Sequence, residues 1–126
     1  MHNSNFNRKL GIKAEDLADG RVRLSIECDA SLHNEVGVTH GGVAMALLDG
    51  SMGRCCVRSL DPGQSCATVQ ISVQFLAMAT GRLSALARVA KRGKRIAFLE
   101  ADCHRDDGTL IARAQGTWAI SERRNG

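Results

Sequence analysis

The sequence predicts an α+β fold in which an antiparallel sheet of about six strands wraps one long central helix. Two observations carry that expectation. Apolar residues alternate with polar ones at a period of two through most of the chain, and residues 41–57 abandon the alternation for a run of apolar helix formers. A third observation, the shortness of the connections, makes the strands antiparallel. With 126 residues, one domain spanning 1–126 is expected, large enough to hold a core without disulfides or structural metal.

The elements follow in order. Residues 1–9 are polar and lack the apolar stretch of a secretory leader. Asp19-Gly20 forms a tight turn between strands at 11–18 and 21–29; in the second, Val22, Leu24, Ile26 and Cys28 alternate with Arg23, Ser25 and Glu27. The helix over 41–57 reads GGVAMALLDGSMGRCCV. Its apolar residues fall on all sides, which predicts burial on most of them. Val69, Ile71, Val73 and Phe75 then alternate with Gln70, Ser72 and Gln74. Arg92-Gly93 separates strands at 82–91 and 95–104, and Asp107-Gly108 precedes the last, at 109–120.

Composition removes several functions. Aromatics are 3% of the chain, with one Trp and no Tyr, too few for the stacking platforms of a single-strand nucleic-acid binder. The net charge of +4 suits an anionic partner, but no nucleic-acid module accompanies it. No apolar run approaches the ~20 residues of a membrane span. Five cysteines cannot all pair, and none form a C-x-x-C, so zinc is not expected and a reducing, cytoplasmic setting is. His33 and His104 are isolated in sequence and offer no metal set.

Chemistry concentrates around the helix. Gly41 and Gly42 open it. Without Cβ atoms they let a carbonyl oxygen approach N–H groups that have no partner inside the helix. Tight packing of helix on sheet is the other reading of the pair. Asp49 follows six apolar positions, 43–48. In an apolar setting its carboxylate becomes a better base for water or a nucleophile. Alternatively, it is a partly exposed group paired with Arg54 or a backbone N–H. Gly50 and Gly53 weaken the helix further, while Met45, Met52, Phe75 and Met78 read first as core residues. Gly41 and Asp49 stand eight residues apart, ~12 Å along a helix. One helix cannot bring both to one carbonyl carbon. If both act on one substrate, two chains contribute across a two-fold axis.

The segment NEVGVTHGGVAMALLD, residues 34–49, resembles the active-site segment of the PaaI-like acyl-CoA thioesterases of the hotdog-fold superfamily. Asn34, Gly37, the triplet His40-Gly41-Gly42 and Asp49 carry the likeness. It extends from about residue 10 to 120 through the strand sequences, the Gly93-Lys94 turn and the closing Gly116-Thr117. The resemblance implies a sheet wrapped around one helix, a homodimer and usually a homotetramer, and hydrolysis of acyl- or aryl-acyl-coenzyme A thioesters without a further cofactor. It implies that Asp49 is general base or nucleophile, that the Gly41 N–H polarises the carbonyl beside His40, and that Asn34 orients water or substrate from the opposite subunit. Thr68, with Ser65 as the alternative, matches a hydroxyl that assists the water.

Other residues complete the expectation. For His40, hydrogen bonds that fix the helix entry are favoured over acid–base chemistry, and Thr39 suits an N-cap. Gly42 is placed at the substrate. The turn Lys91-Arg92-Gly93-Lys94-Arg95 is the densest charge in the chain. It suits the phosphates of coenzyme A through Arg92, Lys94 and Arg95, or is simply a solvated face. Arg54 and Arg58 complement the helix dipole or reach phosphate. An acyl-CoA-binding protein without turnover is the competing function, and a hydroxyacyl dehydratase is a third. Asp49 beside the His-Gly-Gly triplet favours the hydrolase.

Overall fold

The computed structural model describes residues 3–122; positions 1–2 and 123–126 of the expected 1–126 domain lie outside the described residues. A short helix α1 (Asn5–Leu10) leads into β1 (Lys13–Asp16) and β2 (Val22–Glu27). A 3-10 turn (Ala30–Leu32) and a loop then deliver the chain to α2 (Gly41–Arg58), followed by β3 (Gln64–Phe75), β4 (Arg82–Arg92), β5 (Ile96–Arg105) and β6 (Leu110–Glu122). The strands form one six-stranded sheet in the order β1-β2-β4-β5-β6-β3. Every neighbouring pair is antiparallel. Bulges at Thr68/Gln70, Val89/Lys91 and Cys103/His104 add the local twist that curls the sheet around α2.

The inner face of the sheet explains how so few aromatics suffice. Ala85, Ala87, Ala97, Ala101, Ala112 and Ala114 are all buried there. Small side chains let α2 approach closely, and its own Leu47, Leu48 and Met52, all 0% exposed, fill the space. Each such side chain contributes about 1.5–3 kcal/mol of apolar burial. Cys56 and Cys103 belong to this core, and burial pushes both thiols up to about 12. Gly50 has a packing reason: a Cβ there would lie 2.9 Å from Leu24 Cδ2. Gly116 has another, since a Cβ would lie 2.5 Å from Trp118 Cζ3. The indole lies over the space that glycine leaves.

Four expectations need correction. The polar N-terminus forms α1, capped by the Ser4 side chain at one end and by Gly11 at φ 81° at the other. The first strand is shorter than 11–18, and β3 begins at Gln64, ahead of the Val69 where alternation becomes visible. The helix is buried except along one stripe, where Gly42, Met45, Asp49 and Val57 are exposed. Of the presumed core residues Met45, Met52, Phe75 and Met78, only Met52 is buried; the others are 40%, 54% and 60% exposed.

Candidate active site

α2 presents its open stripe toward β3, the edge strand that pairs only with β6. The two run antiparallel. The ring of Phe75 lies 3.5 Å from where a Gly41 Cβ would stand, Thr68 meets Asp49, and Val57 meets Cys66 around a cleft of about 470 Å³. Among the described residues no group of three or more His, Cys, Asp or Glu side chains gathers as a metal site.

The helix entry is built by His40. It takes extended backbone angles and caps α2, its Nδ1 accepting the Gly42 N–H at 2.8 Å. An accepting Nδ1 requires that a neutral ring carry its proton on Nε2. The His40 ring thus bonds the backbone at the helix entry, and the cap is His40 rather than Thr39. Thr39 is instead 4% exposed, with a hydroxyl that finds no partner. The cap also divides the two glycines. The Gly42 N–H, expected at the substrate, is committed to His40, while that of Gly41 has no partner among the described residues. Gly41 is thus the donor left for a ligand, at the positive end of an 18-residue helix.

Asp49 sits two turns further on and is exposed within the single chain, the second of the two settings open to it from the sequence. Neither partner considered for it from the sequence is used. Arg54 is bonded to Asp16 at 2.8 Å, and Asp49 Oδ1 accepts from Thr68 Oγ1 at 3.3 Å. The β3 pleat turns the two hydroxyls apart: Thr68 meets Asp49, while Ser65 reaches Ser121 Oγ at 3.2 Å. Asn34 lies in the loop before α2. Its Oδ1 accepts from the Val36 and Val38 N–H groups at 3.1 and 3.2 Å, which leaves its Nδ2 group free. No hydrogen bond joins the Asn34–His40–Gly41 end to Asp49 within the described residues. Within one chain the two ends of the stripe stand apart.

The expected phosphate cations divide as well. Arg92 is a strut: it donates to Gln64 Oε1 at 2.7 Å and to the Ser59 carbonyl at 3.4 Å, tying the end of α2 to β3. Its guanidinium is satisfied by the fold and is not held ready for phosphate. Lys94 and Arg95 are exposed and make no ion pair among the described residues. Arg58 donates to the Leu17 and Arg21 carbonyls, so it too serves the fold. A second cleft of about 450 Å³ lies on the outer sheet face, among the Arg88–Glu100 and Arg113–Asp102 pairs and away from Asp49.

One element of the open stripe was legible only as a weak helix residue. Gly53, one turn beyond Asp49, leaves a gap in which a Cβ would lie 3.8 Å from Trp118 Nε1. Trp118 is the cross-strand partner of Thr68. The available signal was parity: this single tryptophan shares the inward face of β6 with Ala114 and Gly116.

The sequence model of the thioesterase superfamily matches residues 36–112, more than half of the chain. The chain belongs to that superfamily. This thioesterase-superfamily protein is 34% identical over 114 residues to a candidate esterase from Sulfurisphaera tokodaii, across 90% of this chain and 84% of that one. Among solved structures, a Bacillus halodurans protein crystallised with CoA is similar at TM-score 0.89 and 25% identity, covering 98% of this chain and 82% of that one. A Ralstonia eutropha protein, described as a candidate thioesterase related to phenylacetic acid degradation, is similar at TM-score 0.86 and 25% identity, with 94% and 92% covered. The fold is the hotdog: a six-stranded antiparallel sheet around one long helix.

Proposed function

We propose that this protein is an acyl-CoA thioesterase of the PaaI-like type whose active site forms between two subunits. The observation that carries the reading is the separation of the half-sites. A free helix N-terminal N–H at Gly41 and a hydroxyl-supported carboxylate at Asp49 lie ~12 Å apart on one straight helix. A second chain related by a two-fold axis brings the partner subunit's Gly41 to the Asp49 of the first. The free edge of β3 and the exposed apolar side chains of Val69, Phe75, Leu76 and Met78 supply the surface for that pairing. In the dimer Asp49 becomes enclosed, as its chemistry requires.

The reaction then follows. The thioester carbonyl oxygen accepts the N–H of the partner subunit's Gly41, which stabilises the negative charge that develops on it. Thr68 donates to Asp49 Oδ1 and leaves Oδ2 to take a proton from water as the water oxygen adds to the carbonyl carbon. Collapse of the tetrahedral intermediate breaks the carbon–sulfur bond. The products are the free acid and coenzyme A, whose sulfur receives the proton. The His40 cap holds the Gly41 N–H in place, and the free Asn34 Nδ2 group orients water or substrate. Lys94 and Arg95 face the coenzyme A phosphates, and dimers pair into tetramers. Five cysteines with free thiols suit a reducing, cytoplasmic setting.

Free-thiol release from short-chain, medium-chain and aryl acyl-CoAs tests the activity. Saturable acyl-CoA binding with no thiol release would show a binding protein instead. The shared site has its own test. Gly41→Pro removes the N–H but suits the first helical position, and His40 already has the extended backbone that precedes proline. Asp49→Asn and Gly41→Pro should each be inactive. Coexpressed, they should regain about a quarter of wild-type activity, because half the dimers are mixed and each mixed dimer has one intact site. No recovery means that the site lies within one chain.

A further inference from the structure

Trp118 is 2% exposed, yet its indole N–H has no hydrogen-bond partner among the described residues. It is also absent from the fully enclosed unpaired polar atoms, of which Thr39 Oγ1 is the single case described. The nitrogen therefore keeps an opening. That opening is the gap at Gly53, where any side chain would cover Nε1 from 3.8 Å. Gly53 lies on the stripe of α2 that carries Asp49 one turn before it and Val57 one turn after it. Val57 in turn lines a cleft of mixed polarity with Leu60, Asp61, Gln64 and Cys66. A nearly buried donor with no acceptor of its own loses free energy unless a ligand provides one.

We infer that Trp118 Nε1–H, reached through Gly53, is a specificity determinant that accepts acyl groups carrying an oxygen partway along the chain. The inference rests on the thioesterase reading above. One helical turn is ~5.4 Å, so a carbonyl carbon at Asp49 places the acceptor about four carbons down the acyl chain. A ketone or ether oxygen there accepts the indole N–H, and the remaining carbons continue toward Val57. An unsubstituted chain of the same length leaves the N–H unpaired, and the site discriminates against it.

Hexanoyl-CoA and 5-oxohexanoyl-CoA make the matched pair. The wild type should favour the oxo substrate at least fivefold in kcat/KM, the range of one well-placed hydrogen bond. Trp118→Phe keeps a ring in the core and removes the donor, so the preference should fall to near one. Gly53→Ala guards against a folding failure. Its methyl fits at an ordinary contact distance, covers Nε1 and should also abolish the preference. Because Trp118 is the only tryptophan, its emission reports the contact directly. A 5-oxohexyl thioether of coenzyme A, which cannot be hydrolysed, should shift that emission more than the hexyl thioether does. Equal kcat/KM for the pair in the wild type, or a preference that survives both variants, overturns the inference and leaves the thioesterase standing. Thiol from aryl acyl-CoAs but not from this pair overturns the inference alone; no thiol from any of them overturns the thioesterase reading itself.

Discussion

The two flanks of α2 are made from one continuous helix and behave as different materials. On the flank facing β2, β4 and β5, Leu47, Leu48, Met52 and Cys55 are sealed to 0–1% exposure against an alanine-rich sheet. On the flank facing β3, Met45, Asp49 and Val57 remain open, opposite a strand whose outer edge pairs with nothing in the chain. The first flank is finished within one subunit. The second is left open by the chain itself, and the proposed function completes it with a substrate and a second copy. Stability and function therefore load different residues that lie within one turn of each other.

The sharpest way to break the comparison is Asp49→Asn. Loss of a general base typically costs 10²–10⁴-fold; thiol release should fall by about a thousandfold while the melting temperature of this exposed position stays within a degree or two. An equally large loss of stability would mean that the open flank is structural after all. Next in size is Leu47→Ala on the closed flank, which should destabilise by about 2–5 kcal/mol, read from the urea midpoint. Below that midpoint, its kcat should stay near wild type. Thr68→Val removes the 3.3 Å bond to Asp49 while keeping the side-chain shape. A loss of about fivefold in kcat is expected, in line with about 1 kcal/mol for one hydrogen bond.

The smallest effect is in acid, at the β1 end of the closed flank. The hydrogen bond and charge of Arg54 hold the Asp16 carboxyl below its usual value of 3.8. The folded state thus binds this proton less readily than the unfolded one. Its stabilisation is present above the unfolded value and is lost as pH falls through the lower folded one. Melting temperatures between pH 5 and pH 2.5 should fall, and Asp16→Asn should flatten part of that slope.

These residues also show how far the sequence could be read. Alternation in β2, β4, β5 and β6 was plain because one face of each is fully buried, so polarity had to alternate. In β3 it was weaker, and its first five residues were missed, because both faces of an edge strand beside an open cleft tolerate polar side chains. The His40-Gly41-Gly42 triplet and Asp49 were visible as local expenses in a helix. Which N–H of the glycine pair stays free was not, since it depends on the χ angles that bring His40 Nδ1 to Gly42. Arg92 stood in a run of positive charge. Only the closeness of Ser59 and Gln64, 33 and 28 residues away in sequence, turned it into a strut.

By itself, the sequence determined the strand-rich fold, the single long helix, the residues that interrupt it and the ~12 Å between Gly41 and Asp49. That last point is a matter of helical rise: eight residues at 1.5 Å each separate two groups beyond any shared atom. Tertiary structure decided which side of the helix is closed, which hydroxyl meets Asp49 and where the one tryptophan turns its N–H. Those outcomes depend on register and on contacts between residues distant in the chain, such as Thr68 with Trp118 across β3 and β6, and no local pattern encodes them.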